Sequence, residues 1–494
     1  RAGGLVILLA MFLREIRADN FRTLSDFSLS FGDHYTAVCG KNNSGKTNIV
    51  KALRFLLSED SPYYWDDGSE IHFKRDRIAW AADSGKAPIR IYAKIELDPA
   101  TDLGLIEFIA KFAPPSTTPE SGNAQPVSIG VAATVGPEPG KQKYEVSVGA
   151  MALDEFSSQE LVKKLRSSSA CVYHNSTSVM RQRYVPGGRF SLSASLPAER
   201  QKKLLDKQTA LTNEIDRCLE QHRAEIGQMM GRLSERYDVT LNVPTLAGDQ
   251  LPFGISLGEK GYQVPLDEWG SGTRNRTLIL RTLFEARQAA SAKTLSDRLT
   301  PIVVIEEPES FLHPSAQAEF GSVLQELAEE FKIQLIVTSH SPYMLSHRNP
   351  NANVLLSRRT TSRKRKGTLT VRVAETQRVP TTGTDWKQPF EHALGVAGPE
   401  FEYLKQAIFS NAKEIMLVEG LTDKEYFEDL LGAAHGAHAL SIRGPVVSYD
   451  GAGNLSNGAL AKFVLGLFRV PVVTYDLDKD GELAPGHASE RARD

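Results

Sequence analysis

The segment Gly40-Lys41-Asn42-Asn43-Ser44-Gly45-Lys46-Thr47 constrains this chain more than any other. Its glycines let the backbone turn N–H groups inward, and a lysine beside a hydroxyl suits nucleotide phosphates and their counter-ion. Such a loop works only between a strand and a helix, and both flanks read that way. Tyr35-Thr36-Ala37-Val38-Cys39 is a buried apolar run ending at Gly40, and Ile49 to Leu57 has helical spacing. A glycine turn without a ligand would need neither Lys46 nor Thr47 at these positions. Lys46 is expected to reach the β- and γ-phosphates of ATP, and Thr47 to place its hydroxyl on Mg²⁺. Gly40, Asn42, Asn43, Ser44, Gly45 and Asn48 would complete the cradle.

A second element is Pro301-Ile302-Val303-Val304-Ile305-Glu306-Glu307-Pro308-Glu309, an apolar strand ending in acids. Alone, an acid pair there is also what a solvated strand end looks like. Behind a phosphate loop it reads as a Mg²⁺-coordinating acid, Glu306, and a water-polarising base, Glu307. Ser310-Phe311-Leu312-His313-Pro314 follows. The strand Gln334-Leu335-Ile336-Val337-Thr338 then ends at Ser339-His340-Ser341-Pro342. A lone histidine there is more often structural, but in this order His340 reads as a γ-phosphate sensor.

Bulk properties bound the rest. At 494 residues the chain is long enough for roughly two to four folded units. Apolar residues at 41% and charged residues at 24% are those of a globular protein, and a net charge of -2 excludes a uniformly basic coat. Cys39, Cys171 and Cys218 are scattered without metal-ligand spacing, which fits a reducing cytoplasm. The apolar stretch Gly4 to Leu13 falls short of the about 20 residues that span a bilayer, so no membrane partner is expected. From Met11 the pattern reads as a fresh amphipathic strand, and Met11 is the expected natural start.

Leu13 to Val38 reads as strand, turn, strand, with the turn at Asp19-Asn20. Residues 113 to 141, rich in Pro, Ser, Thr and Gly, read as a surface loop or insertion. Ala198 to Tyr237 is a charged, helix-favouring arm, either a solvated helix on its own domain or a dimerisation arm. Arg358 to Lys366 carries six Lys/Arg in nine residues and reads as a solvated loop.

The motifs Glu306-Glu307-Pro308-Glu309, Leu312-His313-Pro314 and Thr338-Ser339-His340-Ser341-Pro342 are similar to those of the OLD (overcoming lysogenisation defect) family of ABC-type ATPases. The resemblance implies an ABC signature between the phosphate loop and the acid pair. Trp269-Gly270-Ser271-Gly272-Thr273-Arg274-Asn275 occupies that place, with Ser271 and Gly272 matching best. It also implies a homodimer or higher homo-oligomer, in which each signature covers the ATP held by the partner.

From Lys413 the text changes. Glu414-Ile415-Met416-Leu417-Val418 is an apolar strand passing through Glu419-Gly420 into a helix, and Val470-Pro471-Val472-Val473-Thr474-Tyr475 ends in Asp476-Leu477-Asp478. Parallel strands ending in acids gather carboxylates at one sheet edge, which suits Mg²⁺ and, as two ions, phosphodiester chemistry. This half resembles a TOPRIM domain, the fold shared by topoisomerases, primases and OLD nucleases. The resemblance implies metal ligation by Glu419, Asp423, Asp476 and Asp478, with Mn²⁺ an alternative to Mg²⁺. Asp480 extends the run toward an EF-hand pattern, but position twelve from Asp476 is His487, so calcium is discounted. The family's domain continues with further strand, helix and a basic residue, whereas this sequence stops at Asp494; the TOPRIM unit is expected to be short.

The expected fold is α/β. The first ATPase part covers 11–155, a helical insertion 156–240, the second ATPase part with signature, acid pair and histidine 241–400, and the TOPRIM domain 411–494. Two readings of function stay open. One is an ATP-regulated, metal-dependent DNA endonuclease of bacterial anti-phage defence. The other is an ATPase sensor or scaffold with a degenerate TOPRIM, responding to a phage-derived trigger and controlling a separate effector. A chromosome-organising ATPase is disfavoured because the arm is too short for its coiled coils.

Overall fold

The computed structural model describes residues 11–58, 70–78, 87–113, 126–138, 142–168, 170–177, 199–200, scattered positions between 202 and 217, 256–259, 262–290, 299–365, 369–381, 386–394, 407–431, 441–449 and 458–475. The chain divides into two compact units, Arg1–Val179 with Ser271–Asp494, and Met180–Gly270.

In the larger unit, β3 (Tyr35–Gly40), β11 (Ile302–Glu306) and β12 (Leu335–Ser339) are buried at every position. Strands covered on both faces read as continuous apolar runs and pair in parallel, as these do. The sheet order is β14-β13-β3-β12-β11-β8, with β8 spanning Cys171–Asn175, β13 Asn353–Arg365 and β14 Leu369–Val379. Pairing of Val38 with Thr338, and of Thr338 with Glu306, brings three carboxyl ends to one edge. Only β14 runs antiparallel to its neighbour.

A second, antiparallel sheet has the order β2-β1-β4-β5-β6-β7. It comprises β1 (Phe12–Asp19), β2 (Phe27–Ser30), β4 (Ile89–Leu97), β5 (Val127–Val135), β6 (Gln142–Val148) and β7 (Met151–Ala152). Every second residue of β4 is buried, so one face meets the core. Helix α1 (Lys46–Leu57) shares one apolar cluster with both sheets and is buried around most of its girth, unlike a surface helix with one apolar stripe. Gln334, fully buried, joins the sheets: Leu13 N donates to its Oε1 at 2.7 Å and its Nε2 donates to Leu13 O at 3.0 Å.

Toward the carboxyl terminus, β15 (Glu414–Val418), β16 (Val446–Ser448) and β17 (Val470–Val473) form a parallel sheet in the order β16-β15-β17. Its Ile415, Leu417, Val447 and Tyr449 belong to the same apolar cluster as Tyr343, Met344 and Phe390 of the ATPase part. No described helix is long and apolar enough to cross a membrane.

Three expectations need correction. The loop expected over 113–141 contains β5, a strand in the middle of the antiparallel sheet. Val127, Ile129, Val131, Ala133 and Val135 alternate inward, a pattern hidden by Gly130 and by the Pro and Gly that flank it; residues 114–125 and 139–141 lie outside the described residues. The basic run expected as a loop is, up to Arg365, strand β13 paired along its length with β14. It contains no Gly or Pro and has Thr360 and Thr361 at its centre, so the ladder continues through the charges. The insertion expected from residue 156 starts later, because α2 (Leu103–Ala110) and α3 (Glu155–Ser167) pack together and β8 pairs with β11 in the central sheet. Of the arm from 198 to 237, the described positions between 199 and 217 are helical, and the remainder lies outside the described residues, as do Cys218 and residues 1–10.

Replacing Gln334 by Leu would leave the Leu13 N–H and C=O buried without partners. We expect a stability loss of about 2–6 kcal/mol, from about 1–3 for each of the two orphaned groups, read by urea unfolding. A loss under about 1 kcal/mol would show that these backbone groups find other partners.

Candidate active site

The phosphate loop sits where β3 leaves the sheet and α1 begins. Gly45 has φ +106°, and a Cβ there would stand 2.1 Å from Thr376 Oγ1 of β14, so both backbone angle and space demand glycine. Asn43 also has positive φ, at 63°. Lys46 Nζ donates to Gly40 O at 2.8 Å and Lys41 O at 3.2 Å. Burial depresses its pKa, opposed by the nearby Cys39, Glu307, Glu309 and Glu306. Beneath the loop, Thr376 N donates to Thr23 O at 2.8 Å, the two hydroxyls lie 2.6 Å apart, and Asn48 Nδ2 donates to Thr23 Oγ1 at 2.7 Å. The hairpin β13-β14 thus braces the loop from the far end of the sequence.

Glu306 ends β11 and is buried. Tyr173 of β8 donates its hydroxyl to Glu306 Oε2 at 2.5 Å, and Thr47 also hydrogen-bonds this carboxylate. Burial raises the pKa of Glu306, against those bonds. Arg54 of α1 lies 4.0 Å from the Tyr173 ring centroid, fixing the phenol from behind. A buried carboxylate next to a threonine hydroxyl is a hard oxygen donor set, and it fits Mg²⁺.

Glu307 stands at φ +50°, a left-handed conformation that costs a non-glycine residue on the order of 1–3 kcal/mol. The turn is held by Glu307 N donating to Thr338 O at 2.8 Å and Ser310 N to Glu307 O at 2.9 Å. It directs the carboxylate toward His340, whose Nε2 lies 3.4 Å from Glu307 Oε1. That hydrogen bond is the main reason the Glu307 pKa falls below the usual carboxylate value. A cavity of about 430 Å³ is lined by the loop, Glu307, Thr338, His340 and, from β13, Arg358.

The structure therefore brings Asn42 to Asn48, Glu307 and His340 around one cavity, with Glu306 against Thr47. Gly40 closes β3. Ser271 and Gly272 are not on its wall; they open helix α4 (Ser271–Ala290). A Cβ on Gly272 would meet Phe311 O at 2.6 Å, so the start of this helix lies against the turn that follows the acid pair. No motif in the sequence marks Tyr173, Thr376 or Arg358 as site residues. Tyr173 sits in a short apolar run with no motif, and the hairpin residues lie more than 300 positions from the loop they touch.

Glu419 follows β15, and helix α5 (Leu421–Leu430) begins just beyond it. Asp423, in the first turn of this helix, accepts the Gly420 N–H at 2.9 Å, a helix-capping bond that leaves its other oxygen for further contacts. Leu417 pairs with Val473, and Thr474 N donates to Leu417 O at 2.9 Å, so β15 and β17 end side by side. Asp476, Asp478 and Asp480 lie outside the described residues. Among the described residues no three His, Cys, Asp or Glu side chains are close enough to hold a metal ion.

Residues 11–181 and 157–345 match the model of the AAA ATPase domain family. The chain belongs to that family. It is 25% identical over 354 residues to the OLD nuclease of Thermus scotoductus, a match covering 67% of this chain and 59% of that protein. It is 24% identical over 184 residues to the endonuclease GajA of Bacillus cereus, covering 35% of this chain and 26% of that protein. The matches thus span less than two thirds of the length of either relative. A solved Smc head domain from Pyrococcus furiosus, bound to the C-terminal domain of ScpA, aligns with 75% of this chain and 96% of its own at 13% identity and a TM-score of 0.41. The OLD resemblance read from the acid and histidine motifs is borne out by the first of these relatives, and the ATPase part has a P-loop fold with its phosphate loop between β3 and α1.

Because Gly45 admits no side chain, Gly45→Ala is expected to weaken binding of a fluorescent ATP analogue by at least about tenfold, or about 1.4 kcal/mol. Unchanged affinity would mean that the β14 brace yields freely.

Proposed function

We propose that this protein couples ATP hydrolysis to a metal-dependent DNA endonuclease centre in its C-terminal sheet, acting in the bacterial cytoplasm against phage. The observation that carries the ATPase half is the meeting of Lys46, Glu306, Glu307 and His340 at one sheet edge. In this reading Lys46 exchanges its carbonyl partners for the β- and γ-phosphates. Thr47 and Glu306 hold Mg²⁺, which supplies charge neutralisation at those phosphates. Glu307, kept ionised by its bond to His340, takes the proton from the attacking water, and His340 reports on the γ-phosphate. Ser271 and Gly272 face the ATP of a second copy, which makes the working species a homodimer or higher homo-oligomer.

The nuclease half rests on the paired ends of β15 and β17, which lead into acids at Glu419 and Asp476. Glu419, Asp423, Asp476 and Asp478 are the proposed ligands for Mg²⁺ or Mn²⁺, whose chemistry there is to stabilise the attacking and leaving oxygens of a phosphodiester. The cap bond from Gly420 to Asp423 also suits a second reading, in which the acids are structural and the ATPase controls a separate effector protein.

Incubation of the protein with plasmid and Mg²⁺ or Mn²⁺, with and without ATP, separates the two. The first reading expects nicking that is abolished by chelation and by Asp476→Ala, with ATP hydrolysis retained in the variant. Lys46→Ala should lose ATP binding and any ATP dependence. No cleavage under any metal, with ATP turnover intact, would favour the effector reading.

For the ATPase itself, Glu307→Gln is expected to keep ATP affinity and to lower kcat by about 10²- to 10⁴-fold, the usual scale of general-base catalysis. The variant should accumulate an ATP-bound dimer by sizing chromatography. If it elutes with ATP as the wild type does, the composite site is wrong.

A further inference from the structure

Glu309 follows the acid pair by two residues and has no part in the chemistry described so far. It is buried, and the turn around it is closed by Leu312 N donating to Glu309 O at 3.1 Å. Its Oε1 accepts two bonds from the neighbouring strand end: the Ser339 hydroxyl at 2.8 Å and the His340 backbone N–H at 2.7 Å. Its Oε2 has no hydrogen-bond partner among the described residues.

A carboxyl buried with one oxygen unsatisfied costs stability, and such groups persist where they serve something other than packing. The bonds show what this one serves. The segment after β12 is stitched to itself, with Ser341 N donating to Ser339 Oγ at 2.9 Å and Ser341 Oγ to Gln317 Oε1 at 2.7 Å. Besides the Ser339 hydroxyl, two hydrogen bonds that use this segment's main chain tie it to the Glu307 turn. One is the backbone bond from Glu307 N to Thr338 O at 2.8 Å, and the other, two residues on, is from His340 N to Glu309 Oε1 at 2.7 Å. The first sets the strand register. The second sets where the His340 backbone stands, and hence how its imidazole meets Glu307 at 3.4 Å.

We propose that Glu309 is a positioning residue for ATP hydrolysis, which holds His340 at the Glu307 carboxylate by accepting the His340 backbone N–H. The proposal rests on the roles assigned above to Glu307 and His340. It places the switch histidine under control of the same turn that carries the base. Any movement of that turn carries both groups together.

The test compares steady-state ATP hydrolysis by wild type, Glu309→Ala, Glu309→Asp, Glu309→Gln, His340→Ala and the doubles of His340→Ala with Glu309→Ala or Glu309→Asp. Misplacing a catalytic group by about 1 Å costs up to about 10²-fold. Glu309→Ala is therefore expected to lower kcat by about 10- to 100-fold while ATP affinity stays within about threefold. Glu309→Asp, too short to reach His340 N, should lose kcat similarly, and it serves if the alanine variant does not fold. Glu309→Gln keeps a carbonyl acceptor and should recover kcat to within about threefold of wild type. Each double should be no slower than His340→Ala alone, because the second change acts through a group already gone. A double whose loss is the product of the single losses would overturn the proposal, as would unchanged kcat in a Glu309→Asp protein with lowered melting temperature. Absence of hydrolysis by the wild type would instead defeat the ATPase reading itself.

Discussion

The parallel pairing of β3, β12 and β11 is the constraint on which everything else rests. Three strands buried on both faces cannot slip, because a shift of one residue would exchange every inward and outward side chain against two covered faces. Fixed register brings Gly40, Ser339 and Glu306 to one edge. The loop, the acids and the histidine then fall within reach of each other. Their proximity is a property of apolar residues such as Val38, Val304 and Val337, none of which touches the site's chemistry.

Around this edge the protein holds costly features in place by bonds made elsewhere. The left-handed turn at Glu307 is closed by backbone bonds to Thr338 and Ser310. The Glu306 carboxylate is buried under the Tyr173 hydroxyl, and the phenol is covered by Arg54. The glycine loop is fixed from below by Thr23 and Thr376. Strain of this kind survives only when the surroundings over-determine it, and here three elements from distant parts of the sequence do so.

The sequence made the ATPase edge legible because its motifs are short and local: a loop of eight residues, an acid pair closing an apolar strand, a histidine closing another. What it concealed depends on partners far along the chain. Tyr173 becomes part of the site only through the pairing of β8 with β11. Thr376 does so only because the hairpin folds back on Gly45. β5 was hidden for another reason, since Gly130 and its Pro- and Gly-rich flanks read as loop although every second residue is apolar. β13 was hidden by its charges, which sit on a ladder that β-branched neighbours sustain. Local composition misleads where a strand's stability comes from its partners.

The apolar cluster that runs from the histidine segment into the C-terminal sheet bears on how this chain is divided. Tyr343, three residues beyond His340, packs its ring against Phe463 at 5.3 Å, and His347 meets Phe463 edge-on and Trp386 at a tilt. The text changes character near Lys413, yet the hydrophobic interior does not stop there. A cut at that seam would strip apolar cover from Tyr343 and Met344, which follow His340 in the chain. The change of character visible in the sequence is therefore not a boundary of the hydrophobic interior.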